Sequence, residues 1–355
     1  MNDEAVSALA DRRGSPSVSI LCPLDARRPG NDADPLTIAA LREQAIERLR
    51  TVTDDATASA VVARVDAALS SVDLAHPPLG IAVFVSPDVE RVVELDVPVD
   101  PEVVVAERFA VGGLLKALSH RECARVLVLS LASTRCVDIS GDAVVERRDG
   151  GFPVEVEAPV EADTPHGDYP LAEQEHAEAE KFVFRAVDRA VESLQDIDRR
   201  PLVLVAAPRE LASFVELTRH GADVVASVHG SYEREPADVI AALVRPELDA
   251  ARLAADRRRC DEVQEAIGTG AVAGVSDAWA AARVGRGHEL LLEDGFRTTA
   301  RRVDDHLVEA AADEPGAFDA VEDTVEEVVR HGGTVRFVPA GSLAEAGRVV
   351  LVTRY

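Results

Sequence analysis

Pro201-Leu202-Val203-Leu204-Val205-Ala206 is an apolar run with no polar alternation. Such a run predicts a strand buried on both faces, so layers must cover it on each side. Upstream, from Leu171, the residues Phe182, Ala186, Val187, Ala190, Val191 and Leu194 recur at helical spacing. They predict one long helix with those side chains inward. Still earlier, 126–129, 136–139 and 144–146 read as three strands, with Gly141-Asp142 as the tight turn between the last two. The stretch 149–170 is rich in Pro, Gly, Asp and Glu and reads mostly as exposed loop. Downstream, 211–217 is helical, 224–228 is another strand, and a long helix follows Pro246 to Gly268.

The same logic extends to both sides. Residues 18–21 form a short apolar run ended by Pro23. Asp34-Pro35 then suits a helix start, since Asp can cap and Pro fits the first turn. Ile38, Leu41, Ala45, Ile46 and Leu49 continue that helix, and Val61, Val62, Val65, Ala68 and Leu69 mark a second. Residues 81–85 and 89–95 read as strands joined by Ser86-Pro87-Asp88, and Leu114, Leu115 and Leu118 lie on a short helix. Toward the C-terminus, Trp279 falls on a short helix capped by Ser276, and 288–292 is a strand. Phe318, Val321, Val325, Val328 and Val329 define an amphipathic helix with Gly332 as its C-cap. Residues 334–338 and 348–352 are closing strands. This alternation predicts an α/β/α layer.

A chain of 355 residues exceeds one ordinary core, and three modules are expected: 1–120, 121–268 and 269–355. Apolar residues at 47% and charged residues at 29% fit folded domains. No apolar run approaches the roughly 20 residues of a membrane span. Met1-Asn2-Asp3-Glu4 is acidic and lacks an apolar targeting segment, so a cytoplasmic location is expected and no membrane partner. Cys22, Cys123, Cys136 and Cys260 are widely spaced and form no CxxC pair, which predicts thiols rather than a zinc ribbon or a disulfide scaffold. The net charge of −26 repels generic binding to DNA or RNA, while a local contact to structured RNA stays open. Basic residues are almost all Arg, with Lys only at 116 and 181.

Motifs for catalysis are incomplete. Gly268-Thr269-Gly270 with Gly274 has GxGxxxG spacing and follows a helix, so it reads as an interdomain hinge rather than a dinucleotide turn. Gly274-Val275-Ser276-Asp277-Ala278 lacks the final Gly of a nucleophile elbow. No Walker-type loop and no HExxH or HxH pair occurs, and no cofactor or metal is expected. His166 and His176 stand ten apart without a third ligand in sequence. Arg257-Arg258-Arg259 is the densest basic run; it reads as a solvated helix face, with an RNA-phosphate contact as the second reading.

Val18-Ser19-Ile20-Leu21-Cys22-Pro23, Asp34-Pro35 and Leu41-Arg42-Glu43 form the first of several ordered stretches. Gly80-Ile81-Ala82-Val83-Phe84-Val85-Ser86-Pro87, Arg108-Phe109-Ala110, Leu114-Leu115 and Val126-Leu127-Val128-Leu129-Ser130 follow. Phe182-Val183-Phe184-Arg185-Ala186-Val187-Asp188 precedes the run at Pro201, and His331-Gly332-Gly333-Thr334-Val335-Arg336-Phe337-Val338-Pro339 and Arg354-Tyr355 close the series. In this order the stretches resemble the bacterial archaeo-eukaryotic release factor family, relatives of class-1 peptide release factors and Pelota-type rescue factors. The resemblance implies an α/β chain with a mixed α/β N-terminal recognition-like domain, a ribonuclease-H-like middle domain and an α/β/α C-terminal domain like the kink-turn-binding proteins. In release factors a Gly-Gly-Gln loop before the long middle-domain helix promotes peptidyl-tRNA hydrolysis. The matching stretch is Pro165-His166-Gly167-Asp168-Tyr169-Pro170, which keeps one glycine and contains no Gln.

Three readings follow from the resemblance. The first is non-hydrolytic occupation of the ribosomal A site in rescue or hibernation. It is an RNA-binding role, with His166, Gly167, Asp168, Tyr169, Arg257, Arg258 and Arg259 as candidate rRNA contacts and a protein partner at the C-terminal domain. The second is hydrolysis of peptidyl-tRNA or another ester, with Asp168 and His166 positioning water. The third is an acidic regulatory scaffold without ribosome contact.

Overall fold

A computed structural model describes residues 3–155, 169–304, 306–311 and 313–354. The chain divides into two compact units: Met1–Arg121 together with Ala255–Tyr355, and Glu122–Ala254.

The first unit begins with α1 (Asp3–Ala10), β1 (Arg13–Pro23), α2 (Ala33–Val52), α3 (Asp55–Ser70), β2 (Gly80–Val85), β3 (Glu90–Leu95), β4 (Glu102–Arg108) and α4 (Gly112–Ser119). Its sheet has the antiparallel order β3-β2-β1-β4, with Ile20 opposite Val83 on one side and Val103 on the other. Side chains alternate across a strand. Val18, Ile20, Ile81, Val83 and Val85 therefore meet α2 and α3, while Leu21, Ala82 and Phe84 enter a second core. Burial on both faces is why 80–85 carries no polar residue. The expected helix at Asp34-Pro35 starts slightly earlier, at Ala33. Asn31 Oδ1 accepts the Ala33 and Asp34 N–H groups at 2.8 and 2.9 Å, whereas buried Asp34 accepts the Asp25 N–H at 3.1 Å. Asp34 thus ties down the preceding loop instead of capping the helix.

The second unit contains β5 (Cys123–Val128), β6 (Arg135–Ser140), β7 (Ala143–Glu146), α5 (Tyr169–Gln195), β8 (Leu202–Ala206), α6 (Pro208–Leu217), β9 (Val224–His229) and the first part of α7 (Ala237–Glu265). The order is β7-β6-β5-β8-β9, antiparallel from β5 to β7 and parallel from β5 to β9. This is the strand arrangement of a ribonuclease-H-like core, as the resemblance implies. Leu127, Leu202 and Leu204 pack under α5 and α6, and Val126, Val203 and Val205 pack against Ile240, Ala241 and Val244 of α7. Helix α7 starts nine residues before Pro246, not after it, because burial of Ile240, Ala241 and Val244 offsets the lost backbone hydrogen bond. Gly141 has φ 57°, the left-handed backbone that the β6–β7 turn requires. Of the stretch expected as exposed loop, residues 149–151, 153 and 155 are exposed while Phe152 and Val154 are buried, Val154 bridging Thr134; residues 156–168 lie outside the described residues.

The remainder of the first unit comprises β10 (Ala271–Ala273), α8 (Val275–Arg283), β11 (Gly287–Glu293), β12 (Thr299–Val303), β13 (His306–Glu309), β14 (Ala317–Asp319), α9 (Ala320–Arg330), β15 (Thr334–Val338) and β16 (Val349–Thr353). The sheet β10-β16-β11-β15 has Leu290, Leu292 and Leu351 on the face toward α8 and α9. Leu291 and Val350 face Cys260 and Val263 of α7. This is the expected α/β/α layering. A separate sheet, β13-β12-β14, is tied to α8 by Arg302, whose guanidinium lies 5.2 Å from the ring centre of buried Trp279. Gly332, at φ 71°, ends α9 as expected: its N–H reaches Val329 O and the Gly333 N–H reaches Val328 O. Gly268-Thr269-Gly270, expected as a hinge, forms a turn inside the first unit, with the Gly268 N–H on Ala271 O at 2.9 Å.

One hydrophobic core joins the early and late parts of the first unit, containing Leu9, Phe84, Phe109 and Leu114 with Leu290, Val325 and Leu351. Carboxylates of α9 line its edge. Glu322 Oε1 accepts the Gly112 N–H at 2.8 Å, and a side chain at Gly112 would collide with that carboxylate. Arg108 donates to Glu327 at 2.9 Å and lies 3.7 Å from Glu326. Burial pushes Glu322 up to about 6, against the pull of the Gly112 N–H and Arg297. Burial, with the Glu322 charge beside it, pushes Glu326 up to about 8. Both values exceed the ordinary 4.5, so the fold holds protons that the unfolded chain has released. The stabilisation is complete below about 4.5 and is lost as pH rises through 6 and 8. Glu326→Gln should therefore melt like the parent protein at pH 4.5 and at a higher temperature at pH 8.5, as read by scanning calorimetry. Equal melting at both pH values would refute a strained Glu326.

Candidate functional site

The stretch 165–170, which the resemblance matches to the release-factor loop, ends on the first two residues of α5, Tyr169 and Pro170. His166, Gly167 and Asp168 lie outside the described residues; Tyr169 is the first residue of α5. What orients α5 is clear from its buried side. Val183, Phe184, Val187, Ala190, Val191 and Leu194 pack on the sheet, and Phe184 meets Phe214 edge-on at 5.6 Å. Phe182 was expected among them. It is 41% exposed, because Val183 and Phe184 take the inward positions and turn Phe182 out by about one residue's rotation.

Two polar clamps stop α5 from rolling. Asp188, buried, accepts from the Thr218 hydroxyl at 2.7 Å and from the Arg219 N–H at 3.2 Å. At the helix end, buried Arg125 makes a paired contact to Asp138 at 2.8 and 3.1 Å and donates to Gln195 Oε1 at 2.8 Å. Gln195 in turn donates to Arg200 O at 2.8 Å. The Arg125 guanidinium, the Asp138 carboxylate and the Gln195 amide are thus paired inside the protein.

With its inner face held, α5 presents Lys181, Phe182, Arg185 and Arg189 outward. Lys181 lies 3.2 Å from Glu178. Among the described residues, Arg185 and Arg189 have no ion-pair partner. Glu192, next on this face, is engaged by Arg219 at 3.5 Å. These cations are scattered singly in sequence; their spacing of four within a helix is the signal that places them on one face.

The run Arg257-Arg258-Arg259 divides. Arg257 and Arg258 are exposed on α7. Arg259 is a strut: it donates to Glu289 of β11 at 2.7 Å and to Glu262 at 2.9 Å, and these carboxylates raise its pKa further. Arg336 reaches the same Glu289 at 3.0 Å. Tyr169 belongs to the second unit and the three arginines to the first.

Chemically, the described residues offer few reactive groups. No group of three or more His, Cys, Asp or Glu among them converges on a metal position. No described helix is long and apolar enough to cross a membrane. The cysteines are free; burial pushes Cys22 and Cys136 up to about 12, far from thiolate reactivity. Ser276 does not cap α8. Gly274, at φ 82°, occupies that position, and the Ser276 hydroxyl accepts the Leu307 N–H at 3.4 Å. A cavity of about 300 Å³ beside α4 includes Lys116, Glu102 and Arg297, whose charges are engaged by Asp294 at 2.9 Å and by each other at 2.8 Å.

No curated protein matches the chain. Among solved structures, S. cerevisiae Dom34, a translation termination-like factor, is 12% identical, with 75% of this chain and 74% of that one covered at a TM-score of 0.41. Archaeoglobus fulgidus Pelota is 14% identical, with 78% and 79% covered and a TM-score of 0.34. The archaeal translation termination factor aRF1 is 17% identical, with 100% and 99% covered and a TM-score of 0.26. The model of bacterial archaeo-eukaryotic release factor family 3 matches residues 125–286. The resemblance carried by the ordered stretches is thus met by an independent match, and across residues 125–286 this chain is similar to bacterial archaeo-eukaryotic release factor family 3.

Proposed function

We propose that this chain is a release-factor-like, ribosome-associated cytoplasmic protein that occupies a vacant A site without hydrolysing peptidyl-tRNA, in rescue or hibernation. The observation that carries the reading is the family match over 125–286, combined with a stretch at 165–170 that has Gly167 but no glutamine. A surface that binds ribosomal RNA by shape and phosphate contact needs local positive charge on a chain of net −26. The outward cations of α5 and exposed Arg257 and Arg258 supply candidates for it.

The test is sucrose-gradient sedimentation of the tagged protein in lysates of growing and starved cells, at low and moderate salt. Co-migration with 70S particles, enriched on starvation, is the expected result. Retention at the top of every gradient overturns the reading and favours the acidic scaffold. Purified protein added to ribosomes carrying peptidyl-tRNA should release no peptide above the uncatalysed rate; release would favour the hydrolase instead.

A further inference from the structure

We propose that the outward face of α5 is the surface by which this chain docks on a ribosomal RNA phosphate backbone, with Lys181, Arg185 and Arg189 as its cations and Phe182 as its stacking face. The inference deepens the ribosome reading and rests on it.

The geometry starts from helix pitch. Residues four apart advance about 6 Å along a helix and turn only about 40°, so positions 181, 185 and 189 form one slightly curved row roughly 12 Å long. The opposite face is committed to the core through Val183, Phe184, Val187 and Val191, and the Asp188 and Arg125 clamps hold the row in one direction. The row is therefore preorganised, which lowers the entropy lost on docking.

Charge points to the occupant. The chain has 64 acidic against 38 basic residues, and Arg125, Arg199, Arg219 and Arg245 find carboxylates within the same unit. Arg185 and Arg189 have none among the described residues; exposed Arg234 has none either, but it stands apart, whereas these two stand in one row with Lys181. A guanidinium fork matches a phosphate with two parallel hydrogen bonds. Glu178 and Glu192 bound the row at its two ends, which limits the footprint to about three phosphates. Phe182, 41% exposed beside Lys181, offers an aromatic plane to an unpaired base, the contact that distinguishes single-stranded RNA from a bare polyanion. The Arg257 run lacks this organisation, since Arg259 is consumed by Glu289 and Glu262.

The experiment measures binding of the full chain to purified 70S ribosomes by pelleting, between 50 and 200 mM KCl. Arg185→Ala/Arg189→Ala should weaken binding on the order of tenfold and reduce the slope of log K against log salt by about 1.5. Arg185→Lys/Arg189→Lys should recover most of the slope, since charge is retained, and Phe182→Ala should weaken binding with the slope unchanged. If the parent binds and the Arg185/Arg189 alanine variant matches it in affinity and slope, the docking face is elsewhere while the ribosome reading stands. If the parent does not bind at all, the ribosome reading falls and this inference falls with it.

Discussion

Replacing Arg125 with Met should destabilise the second unit by about 3–5 kcal/mol, the usual cost of removing one partner from a buried ion pair. Arg125 is 1% exposed on β5, and its guanidinium satisfies Asp138, Gln195 Oε1 and the Asp198 carbonyl together. Met fills much of the volume but leaves a buried carboxylate at Asp138 that, among the described residues, is faced by Arg147 at 3.6 Å and by the more remote charge of Arg200. The lost donor also frees the end of α5, because Gln195 links that helix to Arg200 and Asp223. Denaturant unfolding of the full chain, followed by hydrogen exchange in β5, β6 and the last turns of α5, measures the effect. Adding Asp138→Leu to the variant should restore much of the stability, since both charges are then gone. A loss below about 1 kcal/mol for Arg125→Met would mean that the cluster is hydrated and contributes little.

Phe84→Ala should cost the first unit about 3–5 kcal/mol, through lost apolar burial and the cavity left behind. Phe84 is 1% exposed, meets Phe109 edge-on at 5.6 Å and shares its core with Leu290, Val325 and Leu351. The location of the damage is the more informative readout. A shared core predicts that hydrogen-exchange protection falls in 80–85 and in 287–293 together. Protection lost only in 80–85 would show that 1–120 and 269–355 unfold independently, as three separate modules require.

Much of this architecture was readable because the signals are local. Central strands buried on both faces, such as β2, β5 and β8, must be apolar at consecutive positions. Turns such as Gly141-Asp142 and the Gly332 cap depend on backbone conformations that few residues adopt. Strands β4, β12 and β13 carry no such local signal, for the converse reason. They are partly exposed and carry Glu and Arg, so their strand state comes from hydrogen bonding to partners and not from an apolar pattern. Pro246 carries a local propensity penalty, but the burial that offsets it inside α7 depends on side chains of the sheet and is not written beside it.

The amino-acid sequence by itself determined the α/β class, the order of most strands and helices, and the family resemblance now met by the match over 125–286. These depend on periodicity and motif order, which are written along the chain. Only the tertiary structure decided that the two ends of the chain share one core, and which arginines remain available to a partner. Arg259 and Arg185 look equivalent in sequence; the first is locked by Glu289, thirty residues away, and the second faces outward because its neighbours Phe184 and Val187 are drawn into the sheet. A charge's role is set by what folding brings within a few ångströms of it, and that proximity is not written in local sequence.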